Sequence, residues 1–208
     1  MDLLEDNGFA LAIRLVLSLS QGALLWVALP CSSWIWINRG TSGRNRLLWA
    51  GNTTLKYIHD ANKMVSRTVL LLWIASWRGV TWVLEQPISS VMGEHDRLQQ
   101  LFQGMVVYRT RASQGAFGGE TKKVLKFWGN HPWIGELSTY KAMGAFAKRA
   151  SRTRVNRRGI EVTDGNHKAL RESQTYSRKF GRVVASLFLT HRDAIVAEQA
   201  RGFERATM

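Results

Sequence analysis

Cysteine is almost absent from this sequence, with Cys31 the single one among 208 residues. An intramolecular disulfide is excluded, and so is a zinc site built on several thiolates. A lone thiol fits a reducing, intracellular compartment. The five histidines (59, 95, 131, 167 and 191) show no metal-ligand spacing, so no metal is expected. A secretory leader is not evident: Asp2, Glu5 and Asp6 stand where a basic leader segment would begin. Uninterrupted apolar runs of membrane length are missing too. Residues 15–37 are uncharged and long enough to cross a bilayer. However, Gln21-Gly22 punctuates the stretch, Pro30 breaks it, and Ser18, Ser20, Ser32 and Ser33 dilute it. It reads as helix, turn, strand and loop, and membrane association is kept only as a distant alternative. Internal repeats and low-complexity tracts are absent as well.

Acidic residues are also few, at 15 against 29 Lys and Arg, for a net charge of +14. The excess is uneven. Residues 1–100 hold nine basic and seven acidic side chains, and residues 101–208 hold twenty and eight. Apolar residues make up 45%, with nine Trp and eight Phe, which is enough for a packed core. A core-like front half and a strongly basic back half point to a polyanionic partner, nucleic acid first; a merely solvated basic face is the alternative.

Along the chain, Phe9, Ile13, Val16 and Leu17 fall at helical spacing over residues 8–19. Ala23 to Leu29 is a short continuous apolar run, as expected of a buried parallel strand. Residues 30–46 are polar and form a loop at the carboxyl end of that strand, where ligands and catalytic groups collect in open α/β sheets. A helix over about residues 55–77, then a strand from Val80 to Leu84 stopped by Glu85-Gln86-Pro87, completes a strand–helix–strand unit. A short helix over 94–103, strands at 105–109 and 124–128, and a helix over 176–204 follow. The Arg-dense run from Lys148 to Arg158 reads as a basic arm or a nuclear-localisation patch, with a solvated linker as the alternative. Most tryptophans lie inside apolar runs and read as core.

Cys31 follows Pro30 and opens a loop carrying Arg39, Arg44 and Arg46. Guanidinium groups near a thiol favour the thiolate, the nucleophilic form. A buried small hydrophobe is the competing reading. Glu85 ends the next strand, so the two groups can share one sheet edge although 54 residues apart. Its alternative is a loop cap or a pairing with Arg78.

Residues 23–31, Ala-Leu-Leu-Trp-Val-Ala-Leu-Pro-Cys, are followed one strand–helix–strand unit later by Trp82-Val83-Leu84-Glu85-Gln86-Pro87. The pair resembles the two motifs of the cytosine-5 DNA methyltransferases, an apolar strand ending in Pro-Cys and one ending in Glu-Asn-Val or Glu-Asn-Pro. Phe117 to Trp128 resembles that family's later aromatic-Gly turn leading through basic residues into a strand. The likeness covers about residues 2–130 and extends to Tyr176–Leu189, which resembles the helix closing the family's cofactor site. In wording such as Cys31-Ser32-Ser33-Trp34 and Leu84-Glu85-Gln86-Pro87, the chain is similar also to an expanded protein family of dinoflagellate algae, which brings no activity with it.

The resemblance implies a Cys31 thiolate attacking C6 of a flipped-out cytosine, with Glu85 holding N3. Lys123, or else Arg109 or Arg111, would hold the base carbonyl. Pro30, Ser32, Gln86 and Pro87 would line the substrate pocket. Arg39, Arg44, Arg46, Arg149, Arg152, Arg154, Arg157 and Arg158 would grip the nucleic-acid backbone. S-adenosylmethionine is the cofactor implied, yet its Gly-rich turn has no counterpart, since Gly8 and Gly22 are the only glycines before Pro30. Ser32 stands where the family has Gln, Gln86 where it has Asn, and Thr121, Lys123 and Leu125 replace its Gln-x-Arg-x-Arg pattern.

The expectation is a partial Rossmann-like α/β sheet, mostly parallel with flanking helices, over residues 1–135. A basic linker over 136–165 and a helical segment over 166–208, packing back on the core, would follow. The function expected is DNA-favouring nucleic-acid binding by a truncated or degenerate methyltransferase-like domain, in the cell interior and by its basic patch in the nucleus. The alternative is an active methyltransferase, should an upstream segment supply the cofactor site.

Overall fold

The computed structural model describes residues 1–119, 121, 123–141, 151–157, 159, 161–165 and 174–206. Helix α1 (Asp6–Ser18) leads into strand β1 (Leu24–Ala28). The loop after β1 carries a 3-10 turn (Trp36–Asn38) and the one-turn helix α2 (Arg39–Ser42). Helix α3 (Lys56–Trp77) returns the chain to β2 (Thr81–Pro87), and α4 (Asp96–Gly104) carries it to β3 (Tyr108–Ser113). Strand β4 (Val124–Gly129), a 3-10 segment (Pro132–Thr139) and the long helix α5 (Arg178–Ala206) complete the body.

The sheet order is β1-β2-β4-β3. Only β1 and β2 run parallel; β4 is antiparallel to both β2 and β3. The expected α/β class is present, and the mostly parallel sheet is corrected to a mixed one. Connection length explains the difference. Parallel neighbours need a long crossover, which α3 supplies between β1 and β2. The short span 114–123, which begins with a 3-10 turn (Gln114–Phe117), joins β3 to β4 and suffices for an antiparallel return.

Alternation along the strands divides the core in two. Leu25, Val27, Trp82, Leu84 and Trp128 pack with α1, α3 and α4 on one face. Leu24, Trp26, Val83, Leu125 and Phe127 pack with Phe180, Val184 and Ile195 of α5 on the other. Three layers result, helices on a central sheet. Cations of α3 hold the first layer together. Arg67 donates to the carbonyls of Leu3 and Leu4 at 2.9 and 3.0 Å, pairs with Asp6, and lies over the Phe9 ring.

The strand starts are fixed by glycine turns. Helix α3 closes with Val80 N–H on the Ala75 carbonyl and Gly79 N–H on the Ser76 carbonyl, and Gly79 has φ +65°. That pair of bonds around a left-handed glycine is a Schellman stop. Gly22, also left-handed, donates to the Gly79 carbonyl at 2.8 Å, and a Cβ there would lie 2.5 Å from Val196 of α5. A side chain at 22 would therefore force Val196 to shift, besides straining the left-handed backbone.

Residues 15–37 split among α1, a turn, β1 and a loop, and among the described residues no helix is long and apolar enough to cross a membrane. Part of the expected basic arm is structured instead: β5 (Ser151–Val155) pairs antiparallel with β6 (Glu161–Gly165). Thr153 and Val155 alternate with Arg152 and Arg154, a period-two pattern of β-branched residues that suits a strand despite the charge. Gly159, left-handed, donates to the Asn156 carbonyl in the turn between them. Arg149 and Arg158 lie outside the described residues.

Candidate functional site

The register of β1 on β2 sets Ala28 opposite Glu85. Since the strands are parallel, Cys31, three residues beyond Ala28, leaves from the same sheet edge as Glu85. Gln86 fixes the loop between them. Fully buried, its side-chain amide donates to the Leu29 carbonyl at 2.8 Å, and its amide oxygen accepts from the Ser90 hydroxyl at 3.0 Å. The Pro30-Cys31 turn thus hangs from the end of β2. Its far side closes with Trp34 N–H on the Cys31 carbonyl at 2.9 Å, and with the Asn38 amide donating to the Ser32 carbonyl. Pro30 and Ser32 are exposed, while Cys31 and Pro87 are half-buried.

Glu85 is 6% exposed. Burial holds its carboxyl above the ordinary range, against the opposing pull of the Tyr176 hydrogen bond and of the Lys123 charge. Tyr176, just before α5, donates its hydroxyl proton to Glu85 Oε2. The Tyr176 ring stands edge-on to Trp26, and burial and the Glu85 charge push its phenol above its ordinary range. Trp26, Tyr176 and Phe180 stack around this acid, Tyr176 and Phe180 with ring centres 5.0 Å apart. Ser177 anchors the same segment by donating to the Phe117 carbonyl.

Burial also raises the Cys31 thiol; Lys123 pulls it back and Glu85 raises it further. The expected thiolate-favouring guanidinium set is corrected here, because the cation acting on Cys31 is Lys123. Arg44 points the other way. It is 1% exposed, donates to the carbonyls of Trp49, Ala50 (3.3 Å) and Ile58 (3.3 Å), and stacks 3.5 Å over the Trp34 ring. It is thus a buried brace of the loop, and the expected backbone contact is withdrawn for it. Arg39 is half-buried over the Trp36 ring, and Arg46 is exposed. Arg154 and Arg157 are exposed on the hairpin, and Arg152 stands opposite Asp164.

Arg109 and Arg111 are separated from the Cys31–Glu85 edge. Arg111 is opposite Lys126 and Arg109 opposite Trp128, residues of the sheet face away from Phe127 and α5. Of the three candidates for a base carbonyl, Lys123 alone acts on both Cys31 and Glu85. Tyr176 is the site residue that motif reading leaves without a role, since its bond to Glu85 spans 91 positions. An aromatic residue just ahead of the last amphipathic helix is the only local signal for it.

The residues beside the loop do not make an S-adenosylmethionine site. A cavity of about 240 Å³ at Pro30 is walled by Leu29, Trp34, Tyr57 and Met64 and has one acid, Asp60, already bonded to Lys56 at 2.6 Å. No glycine turn lines it. Among the described residues, no His, Cys, Asp and Glu group could hold a metal ion. Comparison with models of known families, with curated proteins and with solved structures finds no match.

Proposed function

We propose that this chain is a nucleic-acid-binding domain related to the catalytic region of cytosine-5 DNA methyltransferases, with Cys31, Glu85 and Lys123 as the inherited base-recognition edge. The observation that carries the reading is the parallel Ala28–Glu85 register, which gives the Pro-Cys and Glu-Gln-Pro motifs one shared edge. A carboxyl with a raised pKa can donate a hydrogen bond to a ring nitrogen, and Lys123 can meet a neighbouring carbonyl. Tyr176 now occupies one Glu85 oxygen, so a base entering the site must share or displace it. The basic back half, with Arg154 and Arg157 exposed, would hold phosphates.

The residues present do not fit the methyl donor, so binding rather than methyl transfer is the activity assigned to this chain. Fluorescence anisotropy with a labelled DNA duplex over a salt series tests it. Affinity should fall linearly in log-log form as salt rises, and Arg154→Gln should lower the slope by about 1 if Arg154 meets a phosphate. Absence of binding at low salt would reject the reading.

A further inference from the structure

On the sheet face away from α5, a cavity of about 370 Å³ opens between α4, β3 and β4. Its walls include Arg109 and Arg111 of β3, Lys126 of β4, Gln99 and Phe102 of α4, Trp128, and one acid, Glu94. Arg109 and Arg111 are two residues apart on one strand, about 7 Å along it. Arg111 and Lys126 are directly opposite in antiparallel register. Like charges at such a position are destabilising. Among the described residues, no carboxylate lies within ion-pair distance of Arg46, Arg109, Arg111 or Lys126. The acid in the lining, Glu94, makes no ion pair with these cations, although its field reaches Lys126. Burial pushes Lys126 below its ordinary value, and Arg111, Arg46 and Arg109 add to that.

The cations are held in place by aromatic rings. The Arg109 guanidinium lies 5.0 Å from the Phe102 ring centre and Lys126 Nζ 4.8 Å from that of Trp128. Phe102 and Trp128 stack on each other at 5.8 Å. One Lys126 N–H is spent on the Ser90 carbonyl at 2.8 Å, which leaves two donors. Three converging cations outnumber the single acid Glu94 and form no ion pair with it. That excess charge in a concave site of small-ligand size suits a compact multivalent anion better than an extended duplex.

We propose that this cavity binds the di- or triphosphate group of a small ligand, such as a nucleotide. The proposal is independent of the Cys31–Glu85 reading, which concerns another edge of the sheet.

The test is calorimetry on the full chain with inorganic pyrophosphate, ADP and sulfate at matched ionic strength. Pyrophosphate and ADP should bind, with sulfate at least about tenfold weaker. Arg109→Gln and Arg111→Gln should each weaken pyrophosphate binding about tenfold, at an unfolding midpoint no lower than the wild type's, because both side chains are exposed and each substitution relieves repulsion on Lys126. Cys31→Ser should leave it unaltered. Pyrophosphate binding no tighter than sulfate, or indifferent to both Arg variants, would overturn the proposal. So would a result in which the Arg variants weaken duplex DNA binding while pyrophosphate does not bind; that would give the face to nucleic acid and leave the proposed function standing.

Discussion

The two faces of the sheet treat charge in opposite ways. Under α5, one acid is buried beneath Trp26, Tyr176 and Phe180, and burial drives Glu85 and Cys31 toward their neutral forms. Across the sheet, Arg109, Arg111 and Lys126 crowd an open concavity with no carboxylate paired to them among the described residues. The same four strands support both. Alternation sends Glu85 one way, and Gln86 and Lys126 the other. The lesson is that net charge locates a partner only coarsely. Whether a given side chain is a hydrogen-bonding group or a field source depends on the face it joins.

The comparison requires that the second face be held rigid by groups other than its open cations, and Arg44 is the first of these. Arg44→Met keeps the stem over Trp34 but removes the donor to three carbonyls; that of Trp49 is orphaned, while that of Ala50 keeps the Asn62 amide and that of Ile58 its place in α3. One orphaned carbonyl costs about 1–3 kcal/mol and the other lost bonds from a charged donor add to it, so a loss of about 3 kcal/mol is expected in urea unfolding. A loss below about 1 kcal/mol, within the range of surface substitutions, would show that Arg44 is not a brace and could be returned to the ligand-facing set.

His95 is the second such group. It is 3% exposed, packs 4.3 Å from the Trp49 ring centre, and accepts the Arg97 N–H on Nδ1 at 3.2 Å. Burial lowers its pKa from 6.5 to about 4. Between those values the unfolded chain binds a proton that the folded chain refuses. The stabilisation is therefore complete above about pH 6.5 and is lost as pH falls toward 4, by about 3 kcal/mol in all and about 2 kcal/mol by pH 5. Unfolding at pH 7 and pH 5 measures it. His95→Gln should lack that difference, and a wild-type protein equally stable at both pH values would contradict the buried neutral ring.

Much of this architecture is legible in the sequence. Helices α1, α3 and α5 announce themselves by apolar residues at helical spacing or length, α4 as a short polar helix, and β1, β2 and β4 by short apolar runs. Strand β3 is misplaced because Met105 to Val107 is more apolar than the Arg-bearing stretch that pairs, Tyr108–Ser113. Strand β5 is hidden by its arginines, since charge density masks the alternation of Thr153 and Val155. Two motifs expose the shared edge of Cys31 and Glu85. Two other facts do not follow from local patterns. Arg44 turns inward because Trp34 and three carbonyls await it, and Tyr176 reaches Glu85 only once α5 is docked.

The smallest effect bears most directly on the first face. If Lys123 and Glu85 flank Cys31, each must move the thiol in its own direction. Burial raises the Cys31 pKa above 9.0, Lys123 offsets part of that, and Glu85 adds to it. Alkylation by iodoacetamide follows the thiolate fraction. Its rate in the wild type should still be climbing above pH 9, where an ordinary thiol has levelled. Lys123→Gln removes the offsetting cation and should slow alkylation near pH 8 about threefold, equivalent to about half a pKa unit. Glu85→Gln should accelerate it by a similar factor, since a neutral amide no longer opposes the thiolate. Opposite signs from two substitutions at distant points of the chain cannot come from loosened packing, which would speed both reactions by exposing the thiol. Equal signs would mean that Cys31 does not share the edge with this pair, and the contrast between the faces would then rest on Glu85 and Tyr176 alone.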